Sequence, residues 1–129
     1  MVPNTDSSSG LVSTSMRKRF VAPVGSVPTP PRVKHTIRTG RGSDQPLPLP
    51  NVLLIEVEPD GSSQIYRYTA AGEFGGDTWH ESERDAQEQL VFEYGAALGQ
   101  REPIPDEVSD SHGYVVEWVR KHRKQDGKI

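Results

Sequence analysis

The run from Asp77 to Glu81 holds the densest group of side chains that could do chemistry. Asp77 and His80 would suit an acid–base pair or two metal ligands, because an imidazole titrates near neutral pH. Zinc would need a third and a fourth ligand, and the second histidine of the helical metalloprotease pattern is missing. In a structural role, Asp77 and Thr78 would hydrogen-bond in a turn, Trp79 would fill the core and His80 would precede a helix. The structural role is favoured, and we expect no bound metal and no cofactor.

Other catalytic signatures are missing from the chain. It has no cysteine, which excludes disulfide scaffolds, thiolate zinc sites and cysteine nucleophiles. It also has no nucleophile elbow, phosphate-binding loop or dinucleotide fingerprint. The sequence therefore favours a protein that is not an enzyme, with a small metal-dependent hydrolase at Asp77 and His80 as an alternative.

Charge is distributed unevenly along the chain. Residues 1–50 carry seven bases and two acids, a net charge of +5, whereas residues 51–119 carry three bases and 15 acids, a net charge of -12. The bases of the first segment are Arg17, Lys18, Arg19, Arg32, Lys34, Arg38 and Arg41. A second basic cluster runs from Arg120 to Lys128. A solvated linker is the favoured interpretation of the basic tail. The alternatives are that it attracts nucleic acid in a salt-sensitive way, or that its proline-rich part docks on a partner's groove.

Proline divides the chain at the same place. Eight of the 11 prolines lie within residues 1–50, where apolar residues are sparse. Proline fixes φ and removes a hydrogen-bond donor, which disfavours long helices and central strands. We therefore predict a disordered tail over residues 1–50, with polyproline-like stretches at 28–31 and 46–50. A small domain follows over 51–125, and 126–129 form a short C-terminal tail.

A β-hairpin is the clearest structural signal. Val52 to Glu58 alternates apolar and polar residues, and Gln64 to Thr69 is rich in β-branched and aromatic residues. Pro59 to Ser62 joins them with turn residues. Glu73 to Trp79 could add a short third strand, in which Gly75-Gly76 would mark a bulge or a close backbone approach.

Two helices are predicted to follow. Ser82 and Asp85 resemble a capping box, and an apolar stripe then continues to Leu98. This helix either runs to Leu98, with Gly99 just beyond it, or ends at Gly95. Tyr114 to Lys124 is predicted as the second helix, with a strand as the alternative. The fold class is therefore α+β, a small antiparallel sheet packed by one or two helices, with a disordered N-terminal tail.

A resemblance covers about residues 52–98. The segment from Gly72 to His80, followed by Asp85-Ala86 and by Phe92 to Gly95, is similar to small bacterial proteins with a β-hairpin, a Gly-Asp-Thr-Trp-His segment and an acidic helix. The resemblance implies the hairpin and the helix, and brings no activity with it.

An acidic helix face is the leading candidate for function. Its carboxylates are Glu81, Glu83, Asp85, Glu88 and Glu93, and the other candidate binding residues are Asp77, Trp79, His80 and Phe92. Such a face would steer a basic partner toward the protein. We therefore expect a small protein-binding or regulatory module that meets a protein partner or a second copy of itself. A nucleic-acid-associated protein that acts through its basic ends is the alternative.

Hydropathy bears on location. No apolar run approaches the ~18–20 residues that cross a bilayer. The N-terminus lacks the apolar core of a secretory signal. We therefore expect no membrane contact and a cytoplasmic location.

Overall fold

A computed structural model describes residues 17–26, 31–38 and 44–126 of the chain. The strands are β1 Lys18–Pro23, β2 Thr36–Arg38, β3 Asp44–Pro46, β4 Val52–Val57, β5 Ser63–Tyr68, β6 Phe74–His80 and β7 Glu102–Pro103. The helices are α1 Glu83–Tyr94 and α2 Ser111–Asp126, and a 3-10 turn, Gly95–Ala97, follows α1.

Five of these strands form one antiparallel sheet in the order β6-β5-β4-β1-β7. The hairpin β4–β5 is confirmed, and its register runs from Val52 opposite Tyr68 to Val57 opposite Ser63. β6 is the predicted third strand. β2 and β3 form a separate two-stranded sheet.

One helix covers each face of the large sheet. On the α1 face, Leu53, Ile55 and Ile65 pack with Leu90 and Tyr94. The α2 face is built in the same way, from Val21, Val52, Leu54, Ile104, Val115 and Val119. All six residues of β4 are buried because both of its faces are covered. The predicted α+β class is confirmed.

The structure differs most from the predicted N-terminal tail at β1. This strand lies between β4 and β7 inside the sheet, and Val21 and Ala22 are buried. Phe20 to Val24 is a short apolar run, and its signal is hidden when composition is averaged over 50 residues rich in proline. Burial against both helices stabilises the strand, and local composition does not indicate this burial.

A second part of the predicted tail, residues 31–38 and 44–50, folds as an arm over α1 and β6. Within it, the backbone N–H of Leu47 donates to the carbonyl of His35 at 2.8 Å. Pro46 pairs with Thr36 in the β2–β3 sheet. The polyproline-like stretch predicted at 28–31 falls mostly outside the described residues.

Glycines explain how the arm approaches β6. A Cβ on Gly75 would lie 3.1 Å from the carbonyl oxygen of Pro48, and one on Gly76 would lie 3.0 Å from the Cβ of His35. Gly76 also has a positive φ of 108°, and the β5–β6 register shifts between Tyr66 and Tyr68. The sequence prediction of a bulge or close approach is therefore confirmed.

The limits of α1 follow from its caps. The hydroxyl of Ser82 accepts a hydrogen bond from the backbone N–H of Asp85 at 3.0 Å, which satisfies a free donor of the first turn. The helix ends at Gly95, where φ is +51°, and not at Leu98. Glycine accepts this positive φ without strain, so the shorter of the two predicted helices forms.

The second helix is confirmed over its strand alternative. It begins earlier than Tyr114, because Asp110 accepts hydrogen bonds from the backbone N–H groups of Gly113 and Tyr114. Val115 and Val119 are buried. Between the two helices, Glu102–Pro103 forms the edge strand β7, which pairs with β1.

Candidate functional site

The two side chains proposed as a catalytic or metal-binding pair lie on opposite faces of β6. Asp77 is opposite Tyr66 on the α2 face, and His80 is opposite Ser63 on the α1 face. Successive residues of a strand point to alternate faces, so residues three apart cannot converge. The Asp77–His80 pair is therefore not assembled. In the described part of the chain, no group of three or more potential ligands could hold a metal ion.

His80 belongs to a polar network under α1. Its Nε2 lies 2.8 Å from Oγ1 of Thr78, and that oxygen accepts a hydrogen bond from Arg67. Burial and the guanidinium of Arg67 lower the pKa of His80 below its usual value, so the ring is neutral at pH 7.

A buried ion pair forms the centre of this network. Arg67 is fully buried, and its Nη2 lies 2.8 Å from Oε2 of Glu93. Its Nε donates to Oε1 of the same carboxylate at 3.3 Å and to the hydroxyl of Tyr94 at 3.0 Å. Since an unpaired buried charge is costly, these contacts are what allow an arginine inside the sheet.

Two further side chains reach Glu93. Nε2 of His35, from the arm, lies 2.9 Å from Oε1, and Nε2 of Gln89 donates to Oε2 at 2.8 Å. Burial alone would raise the pKa of Glu93, but the contacts with His35 and Arg67 outweigh it and lower the pKa to about 2. Burial raises the pKa of Tyr94. The carboxylate therefore connects α1, β5 and the arm.

The polar groups of this network are hydrogen-bonded to one another. Among the described buried side chains, only Ser63 Oγ lacks a hydrogen-bond partner. The arrangement therefore fixes α1 on the sheet.

The depressed pKa of Glu93 predicts a specific dependence of stability on pH. The unfolded carboxyl takes up its proton near pH 4.5 and the folded one only near pH 2, so the contribution is complete above pH 4.5 and is lost between these values. We expect the free energy of unfolding to fall by on the order of 3 kcal/mol from this group. Urea unfolding of the unchanged protein and of Glu93→Gln at several pH values would isolate the contribution of this carboxyl group. An equal pH dependence in both proteins would contradict this role.

The predicted acidic helix face is only partly present at the surface. Glu93 is buried, which corrects its assignment to that face. Glu83 is half-buried and bridges Arg101 and, at 3.7 Å, Lys18. The contact with Arg101 lowers the pKa of Glu83. The other acids of the predicted face, Glu81, Asp85 and Glu88, are exposed.

Trp79 is exposed to 61%, so the prediction that it fills the core is wrong. It lies on the α2 face, opposite Gln64. β6 is the outermost strand, whereas α2 packs over β4 and β1. The sequence shows a strand position for the tryptophan but not that the covering helix stops short of it.

Phe92 is the second exposed aromatic candidate, at 53%. It lies on the outer side of α1 next to Val91, which is exposed to 51%. The guanidinium carbon of Arg32, from the arm, lies 5.9 Å from the centre of the Phe92 ring, within the range of a cation–π contact.

Most of the described basic residues of the N-terminal segment form ion pairs, hydrogen bonds or a ring contact within the molecule. Arg17 pairs with Glu58 at 3.0 Å. Arg19 donates to the carbonyls of Pro105 and Val108 and to the hydroxyl of Ser111. Lys34 is exposed, whereas the side chain of Arg38 and all of Arg41 lie outside the described residues.

A histidine missed by the site prediction packs on the α2 face. The ring of His112 makes edge-to-face contacts with Tyr66 and Tyr68, with centroids 4.6 and 5.7 Å apart, and its Nδ1 is hydrogen-bonded to the Tyr68 hydroxyl. Burial raises the pKa values of both tyrosines. The two tyrosines thus pack against α2, as their shared face predicts.

No family model, curated protein or solved structure matches the chain. The described part of the chain contains no helix that is long and apolar enough to cross a bilayer. The fold and the side chains themselves are therefore the basis for a proposal about function.

Proposed function

We propose that this protein is a non-enzymatic protein-binding module whose partner is basic and contacts the outer face of α1. The observation that carries the proposal is one exposed stripe of this helix, which we call the α1 stripe. It consists of Asp85, Glu88, Val91 and Phe92.

The α1 stripe combines charge and apolar area in the way that interfaces do. Val91 and Phe92 are each about half exposed, although the rest of the helix buries Ala86, Leu90 and Tyr94. Helical spacing places Glu88 next to both of them. Exposed large apolar side chains beside charged ones are typical of surfaces that contact other proteins.

A contact made by the arm favours a basic partner. Arg32 already lies over Phe92, so the ring accepts a guanidinium in the free protein. The described residues carry 13 bases and 17 acids, a net charge of -4, which would favour the encounter with a basic surface. By contrast, the first basic cluster, Arg17 to Arg19, is engaged with acids and carbonyls and is a weaker candidate for nucleic acid.

Charge reversal on the α1 stripe tests the proposal. The full-length chain and its variant Asp85→Lys/Glu88→Lys would be used as baits in a lysate of the native host. We expect the affinity of the variant for its basic partner to be at least about tenfold lower than that of the unchanged chain, which corresponds to ~1.4 kcal/mol. The loss should be largest at low salt, since salt screens the attraction.

A matched control separates a local surface from total charge. Glu102→Lys/Glu107→Lys makes the same charge change at two exposed acids away from α1. Retained binding by this control and loss by the α1 variant would support the proposal. Equal binding by all three proteins would contradict it.

A further inference from the structure

The outer edge of the large sheet is open at β6. In the described part of the chain, β6 pairs only with β5 and has no strand on its other side. An edge strand presents free N–H and C=O groups to which another extended chain can bond. This edge is a second surface, separate from the α1 stripe.

The second half of β6 lacks most of the usual protection of an edge. Charged side chains, above all lysine, and also proline and bulges commonly prevent edge pairing, and Asp77 is the one charged side chain of this half that does not depend on a histidine proton. The bulge and the arm occupy Gly75 and Gly76, but from Asp77 to His80 the register with β5 is continuous. This half contains no proline or lysine. Asp77 to His80 therefore forms a regular stretch of edge strand with which another extended chain could pair.

An acid and an indole lie on the α2 face of this edge. Asp77 and Trp79 share that face, and Glu81 lies in the bend just after the strand. All three are exposed, Trp79 to 61%. Asp77 and Trp79 thus have the spacing of side chains that point to one face of a strand, with a further acid close by.

We propose that an extended basic segment of a partner protein adds to β6 as a sixth strand, with lysine or arginine at alternate positions against Asp77, Trp79 and Glu81. Main-chain hydrogen bonds to the edge would provide affinity, as in other cases of strand addition. Alternating cations would meet carboxylates across the strands and the indole face through a cation–π contact.

Charge selects this occupant over others. A second copy of the chain would bring another acidic domain, and two β6 edges would place acids against acids. A nucleic acid would be repelled by the same groups. The exposed acids beside this edge, Asp77 and Glu81, complement a basic segment instead.

The test uses the full-length chain and a synthetic probe, an acetylated and amidated octapeptide of alternating lysine and valine. A second peptide of the same sequence carries an N-methyl group on every residue, so it keeps the charges but has no backbone N–H group that could donate to the edge of β6. We expect it to lose at least about tenfold in affinity relative to the parent peptide. Equal binding by the two peptides would overturn the proposal, because side-chain attraction alone would then explain the affinity.

Two exposed large apolar residues give a matched pair of variants. Trp79→Ala is expected to weaken peptide binding by about tenfold or more, whereas Ile37→Ala, in β2, is expected to leave it unchanged. Both side chains are more than half exposed, so both variants should fold. Unchanged binding by Trp79→Ala would overturn the proposal.

Two additional measurements separate this inference from the proposed function. The α1 variant Asp85→Lys/Glu88→Lys should still bind the parent peptide more tightly than the N-methylated one, so either proposal can fail alone. Sedimentation of the free chain should show a monomer. A dimer that Trp79→Ala dissociates, and that the peptide cannot enter, would assign the edge to a second copy and overturn the basic-segment proposal.

Discussion

A chain that begins at Asn51 is expected to be unfolded, whereas one that begins at Met16 is expected to keep the fold. The shorter chain lacks β1, the only strand that joins β4 to β7. It also loses Val21, Ala22 and Val24 from the two core clusters. A buried apolar side chain contributes about 1.5–3 kcal/mol, and the whole domain has only about 5–15 kcal/mol.

Circular dichroism and the dispersion of amide proton signals would compare the two chains. The chain from Met16 is the control, because it retains every contact of the described residues. If the chain from Asn51 unfolded cooperatively and gave native dispersion, then β1 would be dispensable for folding and the prediction would be wrong.

Glu93→Ala is expected to destabilise the protein by about 3–5 kcal/mol, because it leaves the guanidinium of Arg67 buried without its carboxylate. It also removes the contact that connects His35 of the arm to α1. A loss of this size is a large part of the stability of a small domain. Urea unfolding at pH 7 would measure it.

The controls for this substitution lie on the same helix and in the same pair. Glu88→Ala, at an exposed position, should change the free energy of unfolding by less than about 0.5 kcal/mol. Arg67→Met/Glu93→Leu removes both charges and should be less destabilising than Glu93→Ala. A double variant as unstable as Glu93→Ala would show that the ion pair is not the cause.

Local patterns were sufficient for the elements that local chemistry decides. The β4–β5 hairpin follows from alternation and from a turn in which Asp60 accepts hydrogen bonds from Ser62 while Gly61 adopts a positive φ. The start of α1 follows from Ser82 and its end from Gly95. In each case the deciding contacts are within a few residues of each other.

Predictions failed where distant residues decide the environment. Glu88 and Glu93 have the same side chain on the same helix, yet one is exposed and the other is buried against Arg67. A usable signal was present, because Glu93 continues the buried spacing of Ala86 and Leu90. No comparable signal marks Trp79, whose exposure depends on where α2 crosses the sheet.

The position of β1 also determines how the protein can be made. Phe20 pairs with Ile55 and with Pro103. β1, near the beginning of the described chain, is therefore bonded to strands that lie much later in the sequence. Contacts between residues so far apart in sequence slow folding, since a long loop must close before the contact stabilises anything. During synthesis, β1 leaves the ribosome first and pairs with β7 only after most of the chain has been translated. Until then the edge of β1 that will meet β7 stays open, and this interval is when the newly made chain is most exposed to aggregation.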